Sequence, residues 1–175
     1  QILVSTNSER ILKISNKYKD IICSKRPEKL STDKSELMDT ILFELKKFKT
    51  FDVVVLLQPT SPLRTYKDID KGLSLMMRLG GSSCVSFRSL KYNPSNFYTI
   101  NSKNKIKSFV NKKRKTTNRQ NYKKFYYPSG DLYISRVNIL KKEKSFIEKN
   151  TIPFLINSKN SVDIDNIIDF KIAEL

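Results

Sequence analysis

The sequence predicts an α/β fold in which a mostly parallel sheet is flanked by helices. Three observations carry that prediction. Short apolar runs alternate with amphipathic stretches, in the order βαβαβαβ, through residue 87. The run from Asp52 to Leu57 is continuous and β-branched, so both of its faces need cover, as in a central parallel strand. At 175 residues, the chain has room for one ordinary domain and no stretch long enough to link two. Residues 1–175 are therefore read as a single domain.

The elements follow in order. Ile2 to Ser5 reads as a strand. Ser8 can cap a helix running to about Tyr18, with Ile11, Leu12 and Ile14 inward. Asp20 to Cys23 is a second strand, and Arg26-Pro27 opens a loop. Asp33 and Glu36 have capping-box spacing ahead of a helix whose apolar stripe is Leu37, Ile41, Leu42, Leu45 and Phe48. After the Asp52–Leu57 strand, Pro59 and Pro62 exclude helix or ladder. Asp68 to Leu79 is a helix closed by Gly80-Gly81, and Ser83 to Phe87 is a strand. Phe97 to Ile100 and Ile106 to Val110 are short strands around a polar turn. Asp131 to Ser135 is a strand, Val137 to Glu143 a helix and Ile152 to Ile156 a late strand. Asn166 to Leu175 is a terminal helix with Ile167, Ile168, Ile172 and Leu175 inward.

Composition excludes several chemistries. There is no histidine, and the two cysteines, Cys23 and Cys84, form no CxxC pair. Zinc fingers, His-ligated metals, Ser-His-Asp triads and Cys-His nucleophiles are ruled out within this chain. The cysteines read as buried thiols in a reducing cytoplasm. No apolar run approaches the roughly 18 residues of a membrane helix, so no membrane partner is expected. The charge is lopsided: 34 Lys+Arg against 17 Asp+Glu give +17. Ten of the cations lie between Lys103 and Lys124 with no acid among them. A cluster such as Lys112-Lys113-Arg114 can track a phosphate backbone. Lysine is abundant throughout, however, and the run reads as a solvated loop rather than as a nucleic-acid site.

Three segments could carry chemistry. Gln58-Pro59-Thr60-Ser61-Pro62-Leu63-Arg64 leaves the carboxyl end of a strand, where ligands bind in open parallel sheets. Its prolines stiffen it. Gln58, Thr60 and Ser61 offer amide and hydroxyl groups, and Arg64 a planar cation. From the residues alone, it serves equally well as a turn that ends in a helix cap. In Asp163-Ile164-Asp165 the carboxylates sit two apart, on one side of an extended segment. Mg²⁺ is commonly held by one or two such carboxylates together with substrate phosphates. Capping of the last helix by Asp165 is the competing role, and it leaves Asp163 unexplained. Pro128-Ser129-Gly130, between Tyr127 and Tyr133, is a turn that lets backbone approach a ligand, or simply a turn among core aromatics.

Together these segments resemble the acylneuraminate (CMP-sialic acid) cytidylyltransferase family. Residues 56–64, LLQPTSPLR, are similar to that family's motif without a departure. Val4-Ser5-Thr6-Asn7 resembles its VSTD strand end, and Arg26-Pro27 with Asp33 its RP…SD loop. Arg119-Gln120 resembles a basic sugar-site element. Pro128-Ser129-Gly130 with Tyr133 resembles its PNGAIY turn, and Asp163-Ile164-Asp165 its DID metal motif. All six occur in family order.

The resemblance implies a Rossmann-like nucleotidyltransferase sandwich of three layers with a small protruding β-rich dimerisation segment, here residues 92–127. It implies CMP transfer from CTP to an acidic nine-carbon sugar, with release of pyrophosphate. Asp163 and Asp165 would hold Mg²⁺, and with Arg119 form the catalytic set. Gln58, Thr60, Ser61, Arg64, Ser129, Gly130 and Tyr133 would contact substrate, in a cytoplasmic homodimer. The family's first strand and its L-A-R-x-G-S-K-type loop have no counterpart here, and the chain opens at Gln1 on a strand. The expectation is a chain without its natural start, lacking CTP affinity on its own. Tyr127 stands where sialic-acid members often have Arg, Ser129 where Asn is usual and Asp131 where a small residue is usual. Asp131 is expected to repel an anionic sugar unless it points away. Two alternatives accompany this reading: a non-catalytic basic binding protein, and a nucleotidyltransferase for another sugar acid or nucleotide.

Overall fold

A computed structural model describes residues 1–48, 50–110, 123–156 and 162–175. In chain order the elements are β1 (Ile2–Thr6), α1 (Glu9–Ser15), β2 (Ile21–Lys25), α2 (Leu37–Leu45), β3 (Val53–Leu56), α3 (Tyr66–Arg78), β4 (Ser83–Ser89), β5 (Tyr98–Ile100), β6 (Ile106–Ser108), β7 (Tyr126–Arg136), α4 (Val137–Glu143), β8 (Thr151–Leu155) and α5 (Ile167–Ala173). They fall into two compact units, Gln1–Val53 with Val137–Ser145, and Val54–Arg136 with Phe146–Leu175.

In the first unit, β1 pairs in parallel with β2, Ile2 opposite Ile21 and Thr6 opposite Lys25. The Ser8 hydroxyl caps α1, accepting from the Ile11 N–H. Leu12 is half-buried, but Ile11 and Ile14 stay exposed, against the inward face expected of all three. Periodicity identifies which residues share a helix face. It does not guarantee that a two-turn helix has that whole face covered.

The capping box expected at Asp33 and Glu36 does not form. Helix α2 starts later, at Leu37, with Glu36 as an N-cap that makes no side-chain cap bond. A turn takes up the residues before it. The Ser35 N–H donates to the Thr32 carbonyl at 2.9 Å, and the Ser35 hydroxyl donates to the Lys29 carbonyl at 3.1 Å. Local hydroxyl bonds of this kind compete with helix initiation. Within α2, Ile41 and Leu45 are buried while Leu37 is exposed.

Beside them α2 buries a charge. Glu44 Oε1 accepts from the Ser5 hydroxyl at 2.7 Å, and the Ser24 hydroxyl lies 2.9 Å from both carboxylate oxygens. Lys47 Nζ donates to Glu44 Oε2 at 2.7 Å. Burial pushes the Glu44 carboxyl up. The hydrogen bonds from Lys47, Ser5 and Ser24 outweigh it and hold the group below its ordinary value. One carboxylate thus ties the facing ends of β1 and β2 to α2.

The second unit holds a four-stranded sheet in the order β3-β7-β4-β8. Strands β4 and β8 are parallel, Ser83 opposite Thr151 and Phe87 opposite Leu155. Strands β4 and β7 are antiparallel. Among the described residues β3 stands at the end of this order and is half-buried throughout, rather than central. A continuous apolar run shows that a strand wants cover on its faces; it does not report its hydrogen-bonded neighbours.

Helix α3 starts at Tyr66, two residues earlier than expected. Thr65 and Asp68 form its capping box, so Asp68 is the third helical residue and not the first. The helix lies close on β7, because Gly72 leaves no room for a Cβ beside Leu132 Cδ2, 2.7 Å away. Gly80, at φ +65°, turns the chain out of α3, and the Gly81 N–H returns to the Met76 carbonyl at 2.9 Å. Met76, Cys84, Val85, Leu132 and Ile134 make the fully buried core. Burial lifts the Cys84 thiol to about 11, so it stays an unreactive thiol.

Strands β5 and β6 form the antiparallel hairpin that the sequence suggests, Tyr98 opposite Ser108. The terminal helix α5 is a departure. Ile167, Ile168, Ile172 and Leu175, expected inward, are all exposed. Their spacing marks the face correctly, but among the described residues that face is uncovered.

Replacing Glu44 with Ala should destabilise the fold by about 2 kcal/mol, since the Ser5 and Ser24 hydroxyls lose their acceptor. Chemical unfolding at neutral pH measures it. A carboxyl held low contributes stability above its ordinary value of 4.5 and loses it as pH falls through the folded pKa. Wild-type stability should therefore decline on acidification below that point, and Glu44→Gln should flatten the decline.

Candidate functional site

The site grows out of an irregularity in β7. Tyr133 pairs with Val85 and Pro128 with Phe87. Ser86 alone therefore faces the four residues Ser129 to Leu132. The Pro-Ser-Gly segment, expected as a turn feeding a strand, is instead a bulge inside an eleven-residue strand. The Ser86 hydroxyl oxygen fills the gap. It accepts from the Ser129 hydroxyl at 2.8 Å and from the Leu132 N–H at 2.9 Å. Gly130 takes φ +83°, a region that glycine enters freely.

Three other groups converge on Gly130. A Cβ there would lie 3.1 Å from Gln58 Oε1, 3.3 Å from Ser61 Oγ and 3.7 Å from Asp163 Oδ2. The loop after β3 is folded by the Ser61 N–H donating to the Gln58 carbonyl at 3.2 Å. The aspartate segment is tethered to the same loop, the Ile164 N–H donating to the Thr60 carbonyl at 2.8 Å. The proline-braced loop, the bulge and one of the paired aspartates thus meet at one point. Ser61 Oγ is fully buried and has no hydrogen-bond partner among the described residues. It is an unspent polar group at that meeting point.

The aspartates alternate as the spacing predicts, with Asp163 and Asp165 exposed and Ile164 half-buried between them. Neither caps α5. The Asn166 side chain accepts from the Ile168 and Asp169 N–H groups, and the Asp169 carboxylate accepts from the Asp165 and Asn166 N–H groups at 3.1 Å. Asn166 and Asp169 therefore perform the capping, which leaves both other carboxylates outside it. No ion pair engages Asp163 or Asp165 among the described residues. No cluster of three or more His, Cys, Asp or Glu forms there either. A cation at the pair would complete its shell with substrate or water.

Asp131 lies inside the protein, 1% exposed, with its Oδ2 3.3 Å from Arg88 Nη2. The repulsion expected of it is met by that guanidinium. Arg64 Nη1 donates to the Asp131 carbonyl at 3.1 Å, which pins the end of the loop to β7. Burial pulls the Arg64 guanidinium below its usual value, and Asp131 pulls it back up. Burial, then Asp163 and Asp131, push the Tyr133 phenol up, so it keeps its proton throughout the neutral range. Its ring tilts against Phe146, with centroids 5.5 Å apart.

Of the residues singled out in the sequence, Gln58, Ser61, Gly130 and Asp163 meet directly. Ser129 anchors the bulge, and Tyr133 lies within the field of Asp163. Thr60 contributes its carbonyl, while its side chain is exposed. Asp165 follows two residues after Asp163. Arg119 and the centre of the basic stretch, with Lys112, Lys113 and Arg114, lie outside the described residues. Sequence reasoning missed Ser86 and Arg88. A serine in an apolar strand carries no signal of its own, but an arginine closing such a strand asks for a partner, and Asp131 is that partner.

Ser86→Ala strands the Ser129 hydroxyl and the Leu132 N–H and should cost about 1–3 kcal/mol. Gly130→Ala forces a Cβ into the left-handed region against Gln58 and should cost about 1–2 kcal/mol. Thermal unfolding reads both, and substrate binding should fall further for Gly130→Ala than for Ser86→Ala.

No family model matches the chain. Curated relatives do. The chain is 33% identical to a CMP-N,N'-diacetyllegionaminic acid synthase of Legionella pneumophila, over 99% of this chain and 76% of that protein. It is 30% identical to the post-translational flagellin modification protein B of Campylobacter coli, over 99% and 75%. An N-acylneuraminate cytidylyltransferase of Streptococcus agalactiae is 31% identical over 97% of this chain, which spans 40% of that longer protein. Among solved structures, a CMP:2-keto-3-deoxy-manno-octonic acid synthetase complexed with CTP shares the fold at a TM-score of 0.61. The match covers 99% of this chain and 81% of that one at 14% identity.

Proposed function

The chain belongs to the acylneuraminate cytidylyltransferase family, and from that premise we propose that the cleft at Gly130 is where CMP passes from CTP to a nonulosonic acid. The observation that supports the assignment is the meeting of Gln58, Ser61 and Asp163 around Gly130, where a side chain would crowd them. The reaction joins the anomeric hydroxyl of the sugar to the α-phosphorus as pyrophosphate departs. Such a transfer needs positioning and charge stabilisation more than covalent help.

The chain's own groups suit those tasks. The Gln58 amide, fixed by the stiff loop, orients the sugar. The buried Ser61 hydroxyl gains in bound substrate the partner it lacks. Tyr133 holds its proton and so offers a donor. Arg64 and Arg88 act through the scaffold, the first fixing the loop and the second neutralising Asp131.

Asp163 and Asp165 fit a divalent cation, which we take to be Mg²⁺: both are exposed, lie on one side of the chain and are free of helix capping. When bound, that ion supplies positive charge against the phosphoryl oxygens. The reading further includes Arg119 as a sugar- or phosphate-binding cation. It includes a cytoplasmic homodimer built through residues 92–127. The hairpin of β5 and β6 supports that assembly by exposing Ile100 and Ile106, each about 70% accessible. No described helix is long and apolar enough to cross a membrane.

Pyrophosphate release from CTP and Mg²⁺ with a panel of nonulosonic acids is the direct assay, on the full-length protein. Turnover with at least one acid is expected, and silence with all of them would sink the reading. Asp163→Asn and Asp165→Asn should each lower kcat by roughly a hundredfold or more. The melting temperature should barely move, because neither carboxylate supports the α5 cap.

A further inference from the structure

A relay of polar contacts crosses the second unit from β4 to the paired aspartates. It begins at Arg88. The register of β4 and β7 passes from Tyr133 to Pro128, so Arg88 faces Tyr127 and Asp131 stands outside the pairing. The Asp131 side chain is buried, with its Oδ2 3.3 Å from Arg88 Nη2. Its main-chain carbonyl accepts from Arg64 Nη1 at 3.1 Å. One residue is thus gripped at both ends, by a guanidinium from β4 and by another from the loop after β3. The relay continues through that loop. The Ser61 N–H donates to the Gln58 carbonyl at 3.2 Å, and the Thr60 carbonyl accepts from the Ile164 N–H at 2.8 Å. Ile164 stands between Asp163 and Asp165.

A charge pair in such a place is weak evidence for stability, because neutral groups of similar volume often replace both partners at no cost. Its value lies in what it orients. Without Arg88, the Asp131 side chain loses a contact that fixes the residue, and the carbonyl that anchors Arg64 loses its fixed direction. We propose that Arg88 is a positioning residue: by holding Asp131 it fixes the Arg64 anchor, and so sets where the Thr60 carbonyl holds Ile164 and the two aspartates beside it. Arg88 lies outside every motif of the family resemblance, on a strand that carries neither the loop nor the aspartates. The proposal rests on the cytidylyltransferase reading for what the aspartates hold, and adds the residue that controls their placement.

The experiment is hydrogen–deuterium exchange on the full-length protein without nucleotide, sugar or metal, joined to a titration of turnover with Mg²⁺. The variants are the double Arg88→Met with Asp131→Asn, the single Arg64→Met, and all three together. The double variant removes both charges and keeps the side-chain volumes and the carbonyl of residue 131. Its amides at residues 58–64 and 162–166 should exchange roughly fivefold or more faster. Its melting temperature should stay close to that of the wild type. Arg64→Met should loosen the same two segments, and the triple variant no further, because all three changes break one chain of contacts. The Mg²⁺ concentration for half-maximal turnover should rise roughly fivefold or more. At saturating Mg²⁺, kcat should hold within about threefold, as expected when binding is weakened and chemistry is not. Wild-type exchange at both segments in the double variant would overturn the proposal, with or without a fall in melting temperature. So would faster exchange throughout the second unit, additive effects in the triple variant, or an unmoved Mg²⁺ requirement. If the double variant does not fold, Arg64→Met carries the test from the other end: faster exchange at 162–166 supports the relay, and wild-type exchange there overturns it. If the wild type turns over no nonulosonic acid, the reaction reading falls and exchange alone decides the positioning role.

Discussion

A single serine hydroxyl organises the cleft. Ser86 Oγ accepts from both Ser129 and the Leu132 N–H and so spans a bulge in which four residues of β7 oppose one of β4. Without that bridge, the extra backbone would have an unpaired amide in the interior, at a penalty comparable to a lost hydrogen bond. With it, Gly130 is held at positive φ facing Gln58, Ser61 and Asp163. The site exists because the ladder is interrupted at this point and nowhere else in the β4–β7 pairing.

Charge around this point is sorted rather than merely abundant. Despite a net +17, the cations nearest the bulge are engaged: Arg88 with the Asp131 carboxylate, Arg64 with the Asp131 carbonyl. The carboxylates left outward are Asp163 and Asp165, which no cation of the described chain pairs. A divalent ion and an anionic substrate can then balance one another there. The lysines that lack partners gather a few residues away, beyond Phe87.

Much of this was legible in the sequence, for identifiable reasons. Strong periodicity and Pro or Gly punctuation placed α3, α4 and the β5–β6 hairpin within a residue or two. The prolines of residues 58–64 and the two-residue spacing of Asp163 and Asp165 reported their geometry directly, because both are local. What was hidden is non-local. The bulge needs the partner strand to be seen, and Pro-Ser-Gly by itself looks like a turn. The start of α2 was lost to hydroxyl bonds between Ser35, Thr32 and Lys29. The exposure of Ile11, Ile14, Ile167 and Ile168 depends on neighbours that no helical pattern specifies. The pairing of Arg88 with Asp131 spans two strands and turns an apparently repulsive group into a neutral one.

Among the described residues strand β8 ends the strand order of its sheet, and Pro153 sits in the middle of it, opposite Val85. Proline lacks the N–H that a docking strand from another molecule would need in order to zip along that border. For a chain with several accessible isoleucines this matters, because an open sheet margin is a template for fibrillar stacking. Pro153 acts as a gatekeeper, and a valine in its place would keep the strand while lowering the barrier to self-association at high concentration.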